Sequence, residues 1–239
     1  MTPTPITTDL QVQHQGINID IESIAPTRQF SAEAYDVANM TITATVVSPA
    51  EQRYRLVLAA DVEAGTSAFV RVVSASKAHF KDPRPFKRIV HAEAEILRPV
   101  LAKAGIALQP GVDEQQQLQE HAKGYKIADI TIPAGPQVLR IHASQKLNPV
   151  EGDPRRYRFT MYAPQLSLAP AGNVRLGATV IFPLDFKGNI ATPLVEQMPG
   201  QPAVNLIGGG ETPVQIGLQQ AFGWAFQADP KITVSYTYS

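Results

Sequence analysis

A strand period of two that recurs along most of the chain, one helical stretch near its middle and the absence of cysteine predict a mainly β protein. The expected form is an antiparallel β-sandwich or partly closed barrel, with one long helix and a short helix inserted between two β regions. The clearest periodicity lies in residues 213–238. Val214, Ile216, Leu218, Phe222, Trp224 and Phe226 alternate with Gln, Gly and Ala, which is the spacing of a half-buried strand. As a helix the same segment would set Ile216 and Trp224 opposite the other apolar side chains, so strand is preferred. Beyond Pro230 the pattern resumes, with Ile232, Val234, Tyr236 and Tyr238 on one face and Thr233, Ser235 and Thr237 on the other.

The chain has 239 residues, enough for one large β domain with a sizeable core. Zero cysteines exclude disulfides, thiolate metal sites and cysteine nucleophiles. Twenty-one basic residues balance 21 acidic ones, which argues against a global electrostatic mode of binding nucleic acid or membrane and confines such contacts to local patches. The N-terminus has no basic segment followed by an apolar one, so no secretory signal is expected. No apolar run approaches the length of a membrane span.

Residues 1–16, rich in Thr, Pro and Gln, read as an extended N-terminal arm, and residues 17–239 as a single β-rich domain. Ile17, Ile19 and Ile21 alternate with polar residues and make a first strand. Residues 40–47, 53–58 and 68–74 continue as an antiparallel meander, with a turn at Ser48 and Pro49. A helical excursion over residues 83–124 follows. From Phe86 to Ala104 the apolar positions Ile89, Val90, Leu97, Val100 and Leu101 recur at helical spacing; Gly105 suits the stop, and Pro99 predicts a kink or a split. Residues 113–123 read as a short exposed helix capped by Asp113, with Leu118 its one large apolar residue.

Sheet resumes at 125–132 and 138–143, then at 156–161 and 174–182. The Pro- and Gly-rich residues 183–213 read as a long loop, of the kind that is functional or mobile. Arg53, Tyr54 and Arg55 after a turn proline find an echo in Arg156, Tyr157 and Arg158, which suggests an internal duplication of residues 40–75 and 137–182.

No catalytic constellation emerges. His14, His79, His91, His121 and His142 stand in no compact ligand motif; His91 and Glu95 are four apart on the expected helix, a spacing that an ordinary surface pair explains equally well. There is no nucleophile elbow, and Gly208 to Gly210 lack the lysine of a phosphate loop. No metal, cofactor or catalytic residue is therefore assigned. The strongest charge signal is Lys77, Lys81, Arg84, Lys87 and Arg88. Five cations near a helix N-terminus are disfavoured by its dipole, which points to contact with an acidic partner or nucleic acid.

Arms, a long loop and a strand running to the last residues suit a subunit whose sheet edges are covered by other copies. In organisation, though in no motif, the chain resembles bacteriophage virion components such as tail-tube, capsid-associated or decoration proteins. That resemblance implies a non-enzymatic subunit of a homo-oligomeric particle, located in a virion or a cytoplasmic assembly, with copies of itself and other particle proteins as partners and no membrane. The alternative is a soluble β-sandwich binding module for a small molecule or carbohydrate.

Overall fold

The computed structural model describes residues 6–7, 10–59, 68–74, 79–81, 84–85, 91–103, 106–161, 166–168, 176–197, 206–209, 213–227 and 230–239. In chain order the first strands are β1 (Ile6–Thr7), β2 (Leu10–Glu22), β3 (Asp36–Ser48), β4 (Gln52–Ala59), β5 (Ala68–Val72), β6 (His79–Lys81) and β7 (Arg84–Pro85). Helices α1 (His91–Lys103) and α2 (Glu114–His121) follow. Sheet returns with β8 (Tyr125–Ile132), β9 (Gly135–Leu147), β10 (Pro149–Val150), β11 (Asp153–Met161), β12 (Leu166–Leu168) and β13 (Leu176–Ile181). The last strands are β14 (Gly188–Ile190), β15 (Leu194–Gln197), β16 (Leu206–Gly209), β17 (Val214–Ile216), β18 (Gln219–Phe226) and β19 (Pro230–Tyr238). Among the described residues the protein is mainly β, with two α-helices, and no sheet closes into a barrel.

A ten-stranded sheet runs β16-β18-β13-β2-β3-β9-β5-β6, with β12 also on β2 and β17 also on β18. Its spine is β2, β3 and β9, each 13 residues long. Alternation explains the burial: Ile17, Ile19 and Ile21 of β2 face inward beside Ile42 and Ala44 of β3 and Leu139 and Ile141 of β9. The five-stranded sheet β10-β11-β19-β14, with β15 on β19, contributes Tyr157, Phe159, Val234 and Tyr236 to the same core. The four-stranded sheet β1-β4-β8-β7 is covered on both faces. Tyr54, Leu56 and Ile130 join the main core, whereas Val57, Tyr125 and Ile127 lie under Leu97, Leu101 and Leu118 of the helices. No helix among the described residues is long and apolar enough to cross a membrane.

Several expectations are corrected. The sheet is mixed: β13 and β12 run parallel to β2, and β1 runs parallel to β4. The expected meander also fails. With β2 on one side of β3 and β9 on the other, β4 has no free edge there and pairs with β8 in a different sheet. Within residues 1–16, read as an extended arm, Ile6–Thr7 form β1 and residues 10–16 are the first half of β2. A one-residue bulge at Gln13 separates the pairs Val12 with Val46 and His14 with Thr45, so Val12 and Gln15 both turn inward.

The segment expected as one strand over 214–227 is a hairpin. Gly217, with φ of +62°, and Leu218 form a two-residue loop joining β17 to β18. The long loop 183–213 carries β14, β15 and β16, which pair with β19 and β18. Pro99 lies within α1, which spans His91–Lys103, and residues 86–90 lie outside those described. The short helix is as expected, with Asp113 Oδ1 accepting from Gln116 N at 2.9 Å and Leu118 buried.

Candidate functional site

Of the five cations expected to act together, Lys77, Lys87 and Arg88 lie outside the described residues. Lys81 falls on β6 at the end of the large sheet, and Arg84, exposed, on β7 at the edge of the four-stranded one. His91 and Glu95 share α1, but their side chains are outside those described. His142 is half-buried on the outer face of the large sheet, stacked on Phe69 with ring centroids 5.0 Å apart. Among the described residues no three His, Asp or Glu side chains gather as a metal site.

The structure instead builds a polar centre around Asp36, a fully buried carboxylate at the head of β3. Its Oδ1 accepts from the backbone N–H groups of Ile24 at 2.8 Å and Ala25 at 2.9 Å. Its Oδ2 accepts from Tyr236 at 2.8 Å and Tyr238 at 2.7 Å. The single hydroxyl proton of Tyr238 is committed to the carboxylate, so Ser23 Oγ, 2.7 Å away, donates to Tyr238. Four acceptor positions with four donors is what a buried carboxylate requires. Burial and the nearby Asp36 push the phenol of Tyr157 up to about 12; burial, with Asp36 adding to it, pushes Tyr236 and Tyr238 further in the same direction.

Beside this centre, where β2 and β13 end, lies a cleft of about 370 Å³. Ile21, Ile181, Phe182 and Pro183 give it an apolar lining, and Asp20, Glu22 and Asp185 supply carboxylates. Registry brings the parts together, since Asp20 pairs with Ile181 on one side and with Asn39 on the other. Asp20 accepts from Asn18 at 3.0 Å and Glu22 from Asn39 at 3.5 Å, yet among the described residues none of the three acids has a cation partner. An acid elsewhere behaves differently: Arg55 grips half-buried Asp129 through two bonds of 2.6 and 2.9 Å and holds that carboxyl below its usual range.

Asp36 also secures the loop that follows β2. A 3-10 turn at Ala25–Arg28 is followed by Gln29 and Phe30, both with φ of +53°. Phe30 packs on Tyr238, with centroids 5.2 Å apart. Sequence reasoning missed both features, although a signal existed for the first. Asp36 is in phase with Ala38 and Ile42, the inward positions of β3, and the two tyrosines were already on the inward face of the last strand.

No protein-family model matches the sequence, and no curated protein is significantly similar to it. Among solved structures the chain is similar to a candidate nutrient-binding protein from Legionella pneumophila, with a TM-score of 0.45, 9% identity, 97% of this chain covered and 68% of that one. It is also similar to yeast LTA4 hydrolase bound to bestatin, with a TM-score of 0.37, 9% identity, 100% of this chain covered and 31% of that one.

Proposed function

We propose that the chain is a non-enzymatic binding module of β-sandwich type whose ligand occupies the cleft between the ends of β2 and β13. The carrying observation is the cleft itself: apolar residues share its lining with three carboxylates that no side chain of the described protein neutralises. Apolar lining with a few convergent polar groups is the usual composition of a small-molecule site. Carboxylates with Asn39 and Gln219 beside them suit a ligand that donates hydrogen bonds, such as an amine or a sugar. The sandwich description draws support from the way the inward faces of the large sheet and the two smaller ones share one core. Differential scanning fluorimetry with putrescine, L-lysine and glucose tests the reading. Stabilisation should reach roughly 2.7 kcal/mol at about 100 times Kd, and a Glu22→Gln/Asp185→Asn variant should lose it. Three compounds without effect on a folded protein would remove the reading.

A second reading is that of a structural subunit of a homo-oligomeric, virion-type particle. It draws on Leu184, Leu194, Val214 and Leu218, all apolar and all more than half exposed.

A further inference from the structure

The cleft beside Asp36 presents more acceptors than donors, and its border is apolar. Asp20, Glu22 and Asp185 line it as carboxylates without a cation partner among the described residues. Ser23 lines it too, and because its hydroxyl proton goes to Tyr238, it turns only lone pairs toward a ligand. The amides nearby already donate to the protein: Asn39 to Glu22 at 3.5 Å, Asn18 to Asp20 at 3.0 Å and Gln219 to the Phe182 carbonyl oxygen at 3.4 Å. Lys187, two residues beyond Asp185, is exposed and does not line the cleft. At the border, Leu184 is 63% exposed between Pro183 and Asp185, and Leu218 is 77% exposed next to Gln219. Pro183, Asp185 and Gln219 all line the cleft. The Phe182 N–H donates to the Gln220 carbonyl oxygen at 2.9 Å, which ties the β17–β18 tip to the segment that carries Leu184.

We propose that the cleft takes a primary alkylammonium ion, with its head among the three carboxylates and an unbranched apolar tail across Leu184 and Leu218. This rests on the reading of the cleft as a ligand site and narrows it to one chemical class. Charge is the first argument. A hollow lined by one sign of charge and walled by apolar side chains, here Ile21, Ile181, Phe182 and Pro183, focuses its field on an ion of the opposite sign. Hydrogen bonding is the second. An ammonium group has donors and no acceptor, which matches a surplus of acceptors; a sugar brings an acceptor with every donor and would leave its own lone pairs short of partners. The third argument concerns the tail. Exposed leucines beside a polar hollow call for an apolar cover, whereas a diamine or an amino acid would set a second charge over them and lose its hydration there.

Isothermal titration calorimetry of the full chain with hexylamine, butylamine, putrescine, 1-hexanol and glucose tests this. Hexylamine should bind most tightly, with a gain over butylamine of about fourfold for each further methylene taken out of water. 1-Hexanol, which has the tail without the charge, should not bind. Leu184→Ser/Leu218→Ser, at exposed positions, should bring hexylamine down to the affinity of butylamine and leave putrescine unchanged. Glu22→Gln/Asp185→Asn should weaken every amine by roughly tenfold or more. If the leucine variant does not fold, the comparison of hexylamine, butylamine and 1-hexanol on the parent chain carries the test. Should putrescine or glucose bind while hexylamine binds no more tightly than butylamine, the cleft remains a ligand site and the alkylammonium assignment falls. It falls equally if the leucine variant keeps the full hexylamine affinity or if 1-hexanol matches hexylamine. No binding of any of these compounds to the folded protein would remove the cleft reading and this assignment together.

Discussion

Gln15 points inward on β2 between Ala44 and Leu176, fully buried, and among the described residues neither its amide nitrogen nor its oxygen has a hydrogen-bond partner. Two unsatisfied polar atoms in a core are expensive, and methionine has nearly the same shape without them. Gln15→Met should raise the unfolding free energy by ~1–3 kcal/mol, read as a higher urea midpoint at constant slope; a lower midpoint would mean that the amide has work to do in the folded state. The inward position of Gln15 was hidden from sequence reasoning for a local reason. Alternation counted back from Ile17 does reach it, but Thr, Pro and Gln neighbours suggested a solvated arm, and the bulge at Gln13 breaks the phase that would have tied Val12 to Ile17. Asp36 was legible by phase and overlooked by residue type, since a buried carboxylate is expected only where its donors are known.

Strand β19 shows how far an element could be read. Its alternation was plain, and Ile232, Val234, Tyr236 and Tyr238 are all buried. What alternation does not reveal is what two hydroxyls on the inward face will meet. Because Tyr157, Tyr236 and Tyr238 are all pushed above the ordinary phenol value of 10.0, folding favours their protonated forms. The sign follows: above pH 10 the unfolded chain loses these protons while the folded one keeps them, so stability is full below that pH and falls as pH rises. Titration at 295 nm should show a group of tyrosines that ionise only as the circular dichroism signal is lost. Seven tyrosines titrating together near pH 10 in a folded protein would contradict the burial of this cluster.

The β17–β18 hairpin was misread for the complementary reason. Apolar alternation runs straight through Gly217 and Leu218, because a two-residue loop need not interrupt the pattern, and the mark of reversal was only a Gly-X pair. Leu218, placed inward by its phase, is 77% exposed at the tip. Opposite β19, Gly188 permits an approach that no side chain would, since a Cβ there would fall 2.2 Å from the Thr237 carbonyl oxygen.

Across the whole molecule, β class and the helical excursion were legible because face periodicity is a local property. Partnership is not. Nothing in residues 10–22 says that their neighbours are residues 36–48 on one side and 176–181 on the other. The pairing bears directly on the two functional readings. Among the described residues every long strand has a neighbour on both sides, and the strands at the sheet ends, β1, β6, β7, β10, β12, β14, β15, β16 and β17, are four residues or fewer. Short edges are how proteins discourage strand addition by other chains. Mass photometry at nanomolar and analytical ultracentrifugation at micromolar concentration should therefore give a monomer. Rings, tubes or a fixed oligomer would return the advantage to the particle-subunit reading, with the exposed leucines as the contact.

The parallel insertion of β13 beside β2 orders events on the ribosome. When β2 and β3 have emerged they can zip together, but the opposite flank of β2 and the outer flank of β3 stay bare until β9 and then β13 have been synthesised. For that interval the nascent chain exposes two long sticky borders that the finished protein conceals, and its yield in a cell will depend on how quickly translation, or a chaperone, closes the gap.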